Sequence, residues 1–338
     1  MVLWLIIIFL LVLLLPLRVR VVENNIELFI FIMGAITAIT SGSWSRDLFL
    51  KAASNPIGIT IAVLIASLLL KWFHRSIDRF INRLLRALSF RWCVAITVIT
   101  LGLVSSIITA IIASLLLVAI VTSMRLDTKS TVRYVVLSCF SIGLGASLTP
   151  VGEPVATIAI NKLGEDFFYL INLLGPIIIP LIILLGILAA ILVRKPKYLH
   201  EFREAQINNE TYEEVLYRGI KIYLFVMGLT LLGSGFKTVI DLYIIHLNTP
   251  LLYWINTVSA VLDNATLAAA EMSPQMGEQK VRAVLLGLLI SGGMLIPGNI
   301  PNIIAANKLG ISSKEWAHFG VPVGLVIMVI IFVFFVIK

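Results

Sequence analysis

Gly143-Leu144-Gly145-Ala146-Ser147-Leu148-Thr149-Pro150-Val151-Gly152-Glu153-Pro154 lies between two long apolar flanks. A second run of the same character, Ser291-Gly292-Gly293-Met294-Leu295-Ile296-Pro297-Gly298-Asn299-Ile300-Pro301-Asn302, follows at an offset of 146 residues. Proline removes a backbone donor and collides with the preceding turn, while glycine admits positive φ. Several of them within twelve residues unwind a helix. Both runs are therefore expected to interrupt helices whose flanks remain apolar, leaving free carbonyls and half-helix ends. Backbone of that kind is tolerated at membrane depth only where protein or a water-filled cavity surrounds it.

The correspondence extends outward from the breaks. Asn161-Lys162-Leu163-Gly164 after the first recurs intact as Asn307-Lys308-Leu309-Gly310 after the second. Upstream, Ser105-Ser106-Ile107-Ile108-Thr109-Ala110 aligns with Ser259-Ala260-Val261-Leu262-Asp263-Asn264. Each half thus reads as a hairpin, then an interrupted helix, then a crossing. The first repeat covers 57–193, with a hairpin at 92–124 and a broken helix at 132–161. The second covers 218–337, with a hairpin at 250–272 and a broken helix at 281–307.

Composition agrees with a chain immersed in lipid. Of its 338 residues 59% are hydrophobic and 13% charged, against about 25% charged in soluble domains. Apolar runs of spanning length fall at 2–17, 26–41, 57–73, 92–124, 132–161, 168–193, 218–245, 250–272, 281–307 and 316–337. No long polar stretch is left for a soluble domain, so 1–338 reads as one membrane domain. The run at 2–17 has neither a basic leader nor a small-residue cleavage site, and is expected to be a retained helix. The net charge of +8 sits in short loops, where basic residues set orientation, so nucleic acid is not an expected partner. The loop 71–91, with Lys71, Arg75, Arg79, Arg83, Arg86 and Arg91, is amphipathic and expected to lie on the cytoplasmic membrane surface. Arg125, Lys129 and Arg133 place 125–133 on the same side. Segment 92–124 must then leave and return to one face, which makes it a re-entrant hairpin. Counted onward, 250–272 is expected to be a hairpin entered from outside, which inverts the halves; the alternative for both segments is an ordinary crossing. That is the pattern of secondary transporters, whose sites form where repeats meet at the midplane. The architecture expected is an all-α inverted-repeat secondary transporter with two re-entrant hairpins and two broken helices.

Two carboxylates fall inside this framework. Glu153 stands in the first break, where the second has Asn299; Asp263 lies in the middle of 250–272, followed by Asn264. A charged carboxylate at bilayer depth costs about 2.5–3.5 kcal/mol on insertion scales, so it persists by pairing, binding an ion or exchanging a proton. Two such groups on one cavity can release a proton when a cation arrives and regain it when the cation leaves. That is the physical requirement for antiport. Thr149, Ser105, Ser106, Thr109, Ser259, Thr266, Asn299 and Asn302 are candidates to complete an oxygen shell, although each taken singly is more readily a packing or capping group than a ligand. Asp263 and Glu153 are the expected ligands of a sodium ion. Lys237 and Asp241 have the spacing of an i,i+4 ion pair, and Glu271 is expected in solvent at the outer surface. Cys93 and Cys139 read as packing residues, and the scattered His74, His200, His246 and His318 do not read as metal ligands. No cofactor is expected beyond the transported sodium ion and proton, and no metal-ligand pair or nucleophile arrangement points to an enzyme.

These residues carry a resemblance. Ser259-Ala260-Val261-Leu262-Asp263-Asn264, followed by a Gly-Gly break, resembles the second half of the D-type sodium/proton antiporters. Gly145 to Pro154 is similar to the corresponding break of the arsenite-efflux proteins. Both belong to the ion-transporter superfamily, together with the divalent-anion/sodium symporters and citrate transporters. The nearest likeness is to an archaeal and bacterial branch described only as cation transporters, and it spans the chain from about residue 90 onward. It implies a homodimer, a scaffold part and a transport part that moves like an elevator. By position, Asp263 and Asn264 match the antiporter hairpin tip, and Glu153 falls where the family has an acid in its first break. Thr109-Ala110 departs from the Asp-Asn of the first antiporter hairpin, which speaks against a symmetric two-ion site. The Ser-Asn-Thr tips of the anion symporters are absent, which speaks against a dicarboxylate cargo. The expected function is monovalent cation/proton antiport in the cytoplasmic membrane, with ion-coupled symport of a small carboxylate or oxyanion as the alternative.

Overall fold

The computed structural model describes residues 2–19, 21–22, 25–54, 56–58, 60–61, 64–65, 89–194, 212–239, 247–262 and 264–336. The amphipathic loop 71–88, most of the apolar run 57–73, Asp241, and His74, His200 and His246 lie outside the described residues, as does Asp263. Among the described residues every regular element is helical. The long ones are α1 (Val2–Arg18), α2 (Ile26–Thr40), α3 (Phe90–Ile108), α4 (Ala110–Met124), α5 (Thr128–Ala146), α6 (Pro154–Leu163), α7 (Tyr169–Leu192) and α8 (Tyr212–Val239). They are followed by α9 (Thr249–Ile255), a 3₁₀ turn (Asn256–Ala260), α10 (Asn264–Glu271), α11 (Glu278–Gly292), a 3₁₀ turn (Ile296–Gly298), α12 (Ile300–Leu309) and α13 (Ser313–Ile331). A π-turn over Phe332–Val336 continues α13.

Among the described residues four stretches are long and apolar enough to cross a bilayer: Phe90–Ile108, Tyr169–Leu192, Gly219–Lys237 and Ser313–Val336. Side chains such as Trp4, Trp92, Ile191 and Val326 stand exposed on the outer surface of these and other apolar helices, where lipid rather than water suits them. The protein is a multi-pass, all-α membrane protein.

Both proline- and glycine-rich runs are breaks. α5 stops at Ala146 and the chain resumes helically at Pro154; α11 stops at Gly292 and resumes at Ile300. α6 and α12 are ten residues each, and both end on a left-handed glycine, Gly164 at φ 73° and Gly310 at φ 64°. The residues before them, Glu153 and Asn299, are extended (φ −155° and −152°) and occupy equivalent N-cap positions. Element ends therefore coincide at the offset of 146 read from the sequence. A β-carbon on Gly152 would overlap the carbonyl of Ala146, and one on Gly298 would press on Gly292 in the same way. Glycine at both positions is a packing requirement of the break.

The stretches upstream of the breaks are also interrupted. α3 passes into α4 through Thr109, a β-branched residue held at φ 76°, a conformation that is uncommon without glycine. The Ala110 amide donates to Gly152 O at 2.9 Å, tying this turn to the first break. In the second half, α9 has seven residues and α10 eight. At 1.5 Å per residue neither approaches the ~30 Å hydrocarbon thickness.

α3, α5 and α7 pack together closely. Small residues allow it: Gly102 lies against Ser141, and Gly145 against the Gly102 carbonyl. α2 and α8 form another tight pair, with Gly34 on Gly228 and Gly235 on Thr37. The halves interlock. α4 packs on α12, and α10 packs on α6, so the short helix of each half lies on the half-helix after the other half's break.

Candidate functional site

The two broken helices meet at their breaks. Gly293 faces the Phe140 ring, the Asn299 side-chain amide lies 2.6 Å from the β-carbon position of Gly143, and Cys139 Sγ approaches Pro301 O at 3.7 Å. α13 covers the second break from behind, where buried Trp316 donates from Nε1 to Gly293 O at 3.2 Å.

Around the first break the structure gathers Ser105, Ser106, Thr109, Thr149 and Glu153. Ser105 Oγ donates to Ile142 O at 2.9 Å, and the Thr149 hydroxyl donates to Ser106 O. Ser106 Oγ donates within its own helix to Leu103 O at 2.7 Å. Glu153 is 6% exposed, at the N-terminal end of α6. Partial positive charge at that end favours a nearby carboxylate, so the local backbone offsets part of the cost of burying this acid.

Around the second break lie Ser259, Asn264 and Asn302. Ser259 Oγ donates to Leu288 O at 3.0 Å. This bond repeats the one from Ser105 to Ile142, since both partners are shared by the alignment of the halves. Asn302 Nδ2 donates to Gly292 O at 2.8 Å and Leu295 O at 2.9 Å, bracing the break from inside. Its Oδ1 is buried without a partner. Asn264 is 4% exposed, lies against Gly292, and neither polar atom of its side chain has a partner. Buried amides left in this condition cost roughly 1–3 kcal/mol each. Two carbonyl-type oxygens unused beside a break suit a small cation that takes oxygen ligands. Asp263, next to Asn264 in the chain, and the Thr266 side chain lie outside the described residues. Asn299 belongs to the second break by sequence but points across to α5 of the first half.

Two buried acids, Glu271 and Glu27, were not located by sequence reasoning. Glu271, expected in solvent, is 1% exposed and bonded to Asn256. Its position at the end of a short segment looked like a surface, but α11 closes over it. Glu27 is 5% exposed; its Oε1 accepts from Asn307 Nδ2 at 2.9 Å and its Oε2 lies 3.6 Å from Lys221 Nζ. These three residues border a cavity of about 290 Å³ that also touches Ser312 and Ser313. The only sequence signal was an acid in the first turn of an apolar run. Among the described residues no three His, Cys, Asp or Glu side chains converge as a metal cluster would require.

The DUF1646 family, described as proteins of unknown function, matches residues 2–337. The chain belongs to it. No curated protein matches this family member.

Proposed function

We propose that the chain is a secondary active ion transporter of the cytoplasmic membrane, a sodium/proton antiporter working by alternating access. The observation that carries this reading is the meeting of two equivalent breaks, each opening a ten-residue half-helix within the protein interior. Half-helix ends and unwound carbonyls are what transporters use to receive ions at mid-membrane. The matched helix ends, the repeated Ser105 and Ser259 bonds, and the exchange of α4 and α10 between halves support an inverted repeat. The shortness of α9 and α10 supports a re-entrant second hairpin, and Thr109 is the natural tip of the first.

In this reading Glu153 and Asp263 alternate between proton and sodium. The free oxygens of Asn264 and Asn302, with hydroxyls such as Thr149 and Ser259, complete the cation's shell. Lipid surrounds the chain, which functions as a homodimer.

The test is flux in proteoliposomes under an imposed pH gradient. Wild type should exchange protons for sodium, and Asp263→Asn and Glu153→Gln should each abolish exchange while retaining the detergent-solubilised fold. Sodium-dependent proton flux persisting in both variants would refute the assignment. Uptake of a small carboxylate or oxyanion driven by sodium, without proton exchange, would replace antiport with symport.

A further inference from the structure

Glu271 closes α10 and is sealed by protein, at 1% exposure. Its Oε2 accepts from Asn256 Nδ2 at 2.9 Å, while Oε1 has no partner. An ionised carboxylate presents about four lone-pair sites, and away from water it needs several donors to offset its lost hydration. One amide is available here. From α11, the charged group acting on the carboxyl is Lys280; among the described residues none on α6 or α8, which also pack on α10, does so.

Asn256 connects this carboxyl to the second break. Its backbone carbonyl accepts from Ser291 Oγ at 2.7 Å, and Ser291 pairs with Ser259. Ser291 is the last residue but one of α11. A contiguous buried chain, Glu271–Asn256–Ser291–Ser259, therefore ends where the helix unwinds.

The first half builds the same elements without this chain. With Asn264 aligned to Ala110, Glu271 falls on Leu117 and Asn256 on Gly102. Leu117 is fully buried in the apolar core. The fold thus accepts hydrocarbon at this position, and packing alone gives no reason for a buried acid.

We infer that Glu271 is a further proton-binding carboxyl of the transport cycle, its charge state relayed through Asn256 and Ser291 to the second break. The step is simple proton uptake: carboxylate plus proton gives carboxylic acid. Loss of charge weakens the hold on the Asn256 amide, and Asn256 is where Ser291 is anchored. This inference rests on the ion-transport reading, but protonation can be measured without transport.

Reconstituted wild type and Glu271→Gln are compared by infrared difference spectroscopy between acid and alkaline pH. Wild type should show a protonated-carboxyl band that Glu271→Gln lacks; identical difference spectra would overturn the inference whether or not antiport occurs. In flux measurements Glu271→Gln, whose amide oxygen still accepts from Asn256, should bind sodium but exchange with a shifted pH profile. An unchanged pH profile would overturn the coupling. Should Glu271→Gln fail to fold, Asn256→Ala serves instead: it should move the pH midpoint of the wild-type carboxyl band, and an unmoved midpoint counts against the relay.

Discussion

At Gly145 one missing β-carbon decides how closely α3 and α5 approach. An added methyl would overlap the Gly102 carbonyl, which belongs to a helix backbone and cannot swing away. Gly145→Ala should destabilise the protein by about 1–3 kcal/mol, the usual cost of overpacking. Gly164→Ala should cost about 1 kcal/mol for a different reason, since a β-carbon there meets open space but φ is 73°. Chemical unfolding in detergent micelles distinguishes the two, because Gly164→Asn should recover most of its loss and Gly145→Ser should not. At this scale the glycines and prolines of the breaks were legible as such, because their effect is local to the backbone. The burial of Glu271 and Glu27 was not, since it depends on α11 and on Asn307, which are close in space and distant in sequence for Glu27.

Helix α5 shows what an element owes to the residue just before it. Asp127 caps it, accepting from the Ser130 amide at 3.1 Å. Partial burial alone would raise this loop carboxyl, but the hydrogen bonds from the Ser130 hydroxyl and the backbone amides outweigh it, and the group titrates below its ordinary range. A folded value below the unfolded one means that the cap stabilises above the unfolded carboxylate range and that this contribution fades as pH falls through the folded value. Asp127→Ala should cost about 1 kcal/mol near neutral pH, and the difference from wild type should vanish in strong acid; thermal melts across that range check both. Asp127→Asn should retain the cap and lose the acid dependence. The apolar runs anticipated most elements closely. The run 168–193 is α7 over 169–192, and 26–41 is α2 over 26–40. The run 92–124 divides at Thr109, the residue aligned with Asp263, and 250–272 divides into α9, a 3₁₀ turn and α10. Hydropathy registers a whole immersed stretch but not a turn inside it, because the turn residues here are themselves largely apolar.

Across the whole molecule, α2 and α8 form a closely packed pair that touches α12 through Glu27, Lys221 and Asn307. Asn307→Ala removes one of the two partners of a buried carboxylate and should lower stability by roughly 1–3 kcal/mol, whereas Asn161→Ala, at the exposed equivalent position, should be near neutral. Parallel melts of the two variants measure the asymmetry. The recurrence of Asn-Lys-Leu-Gly was visible in the sequence; that only one of its asparagines reaches an acid was not, because the partner comes from a helix outside the repeat.

The exchange of short helices between halves bears on how the chain is made. α4 finds its counterpart in α12, which a ribosome delivers only after every intervening helix has been made. Until then the leading half must wait in the bilayer with its half-helix and short helix uncovered, and long-range contacts of this sort close late. Biogenesis of this protein is thus a matter of timing: truncations before α12 should be handed to membrane quality control, however intact their earlier segments are.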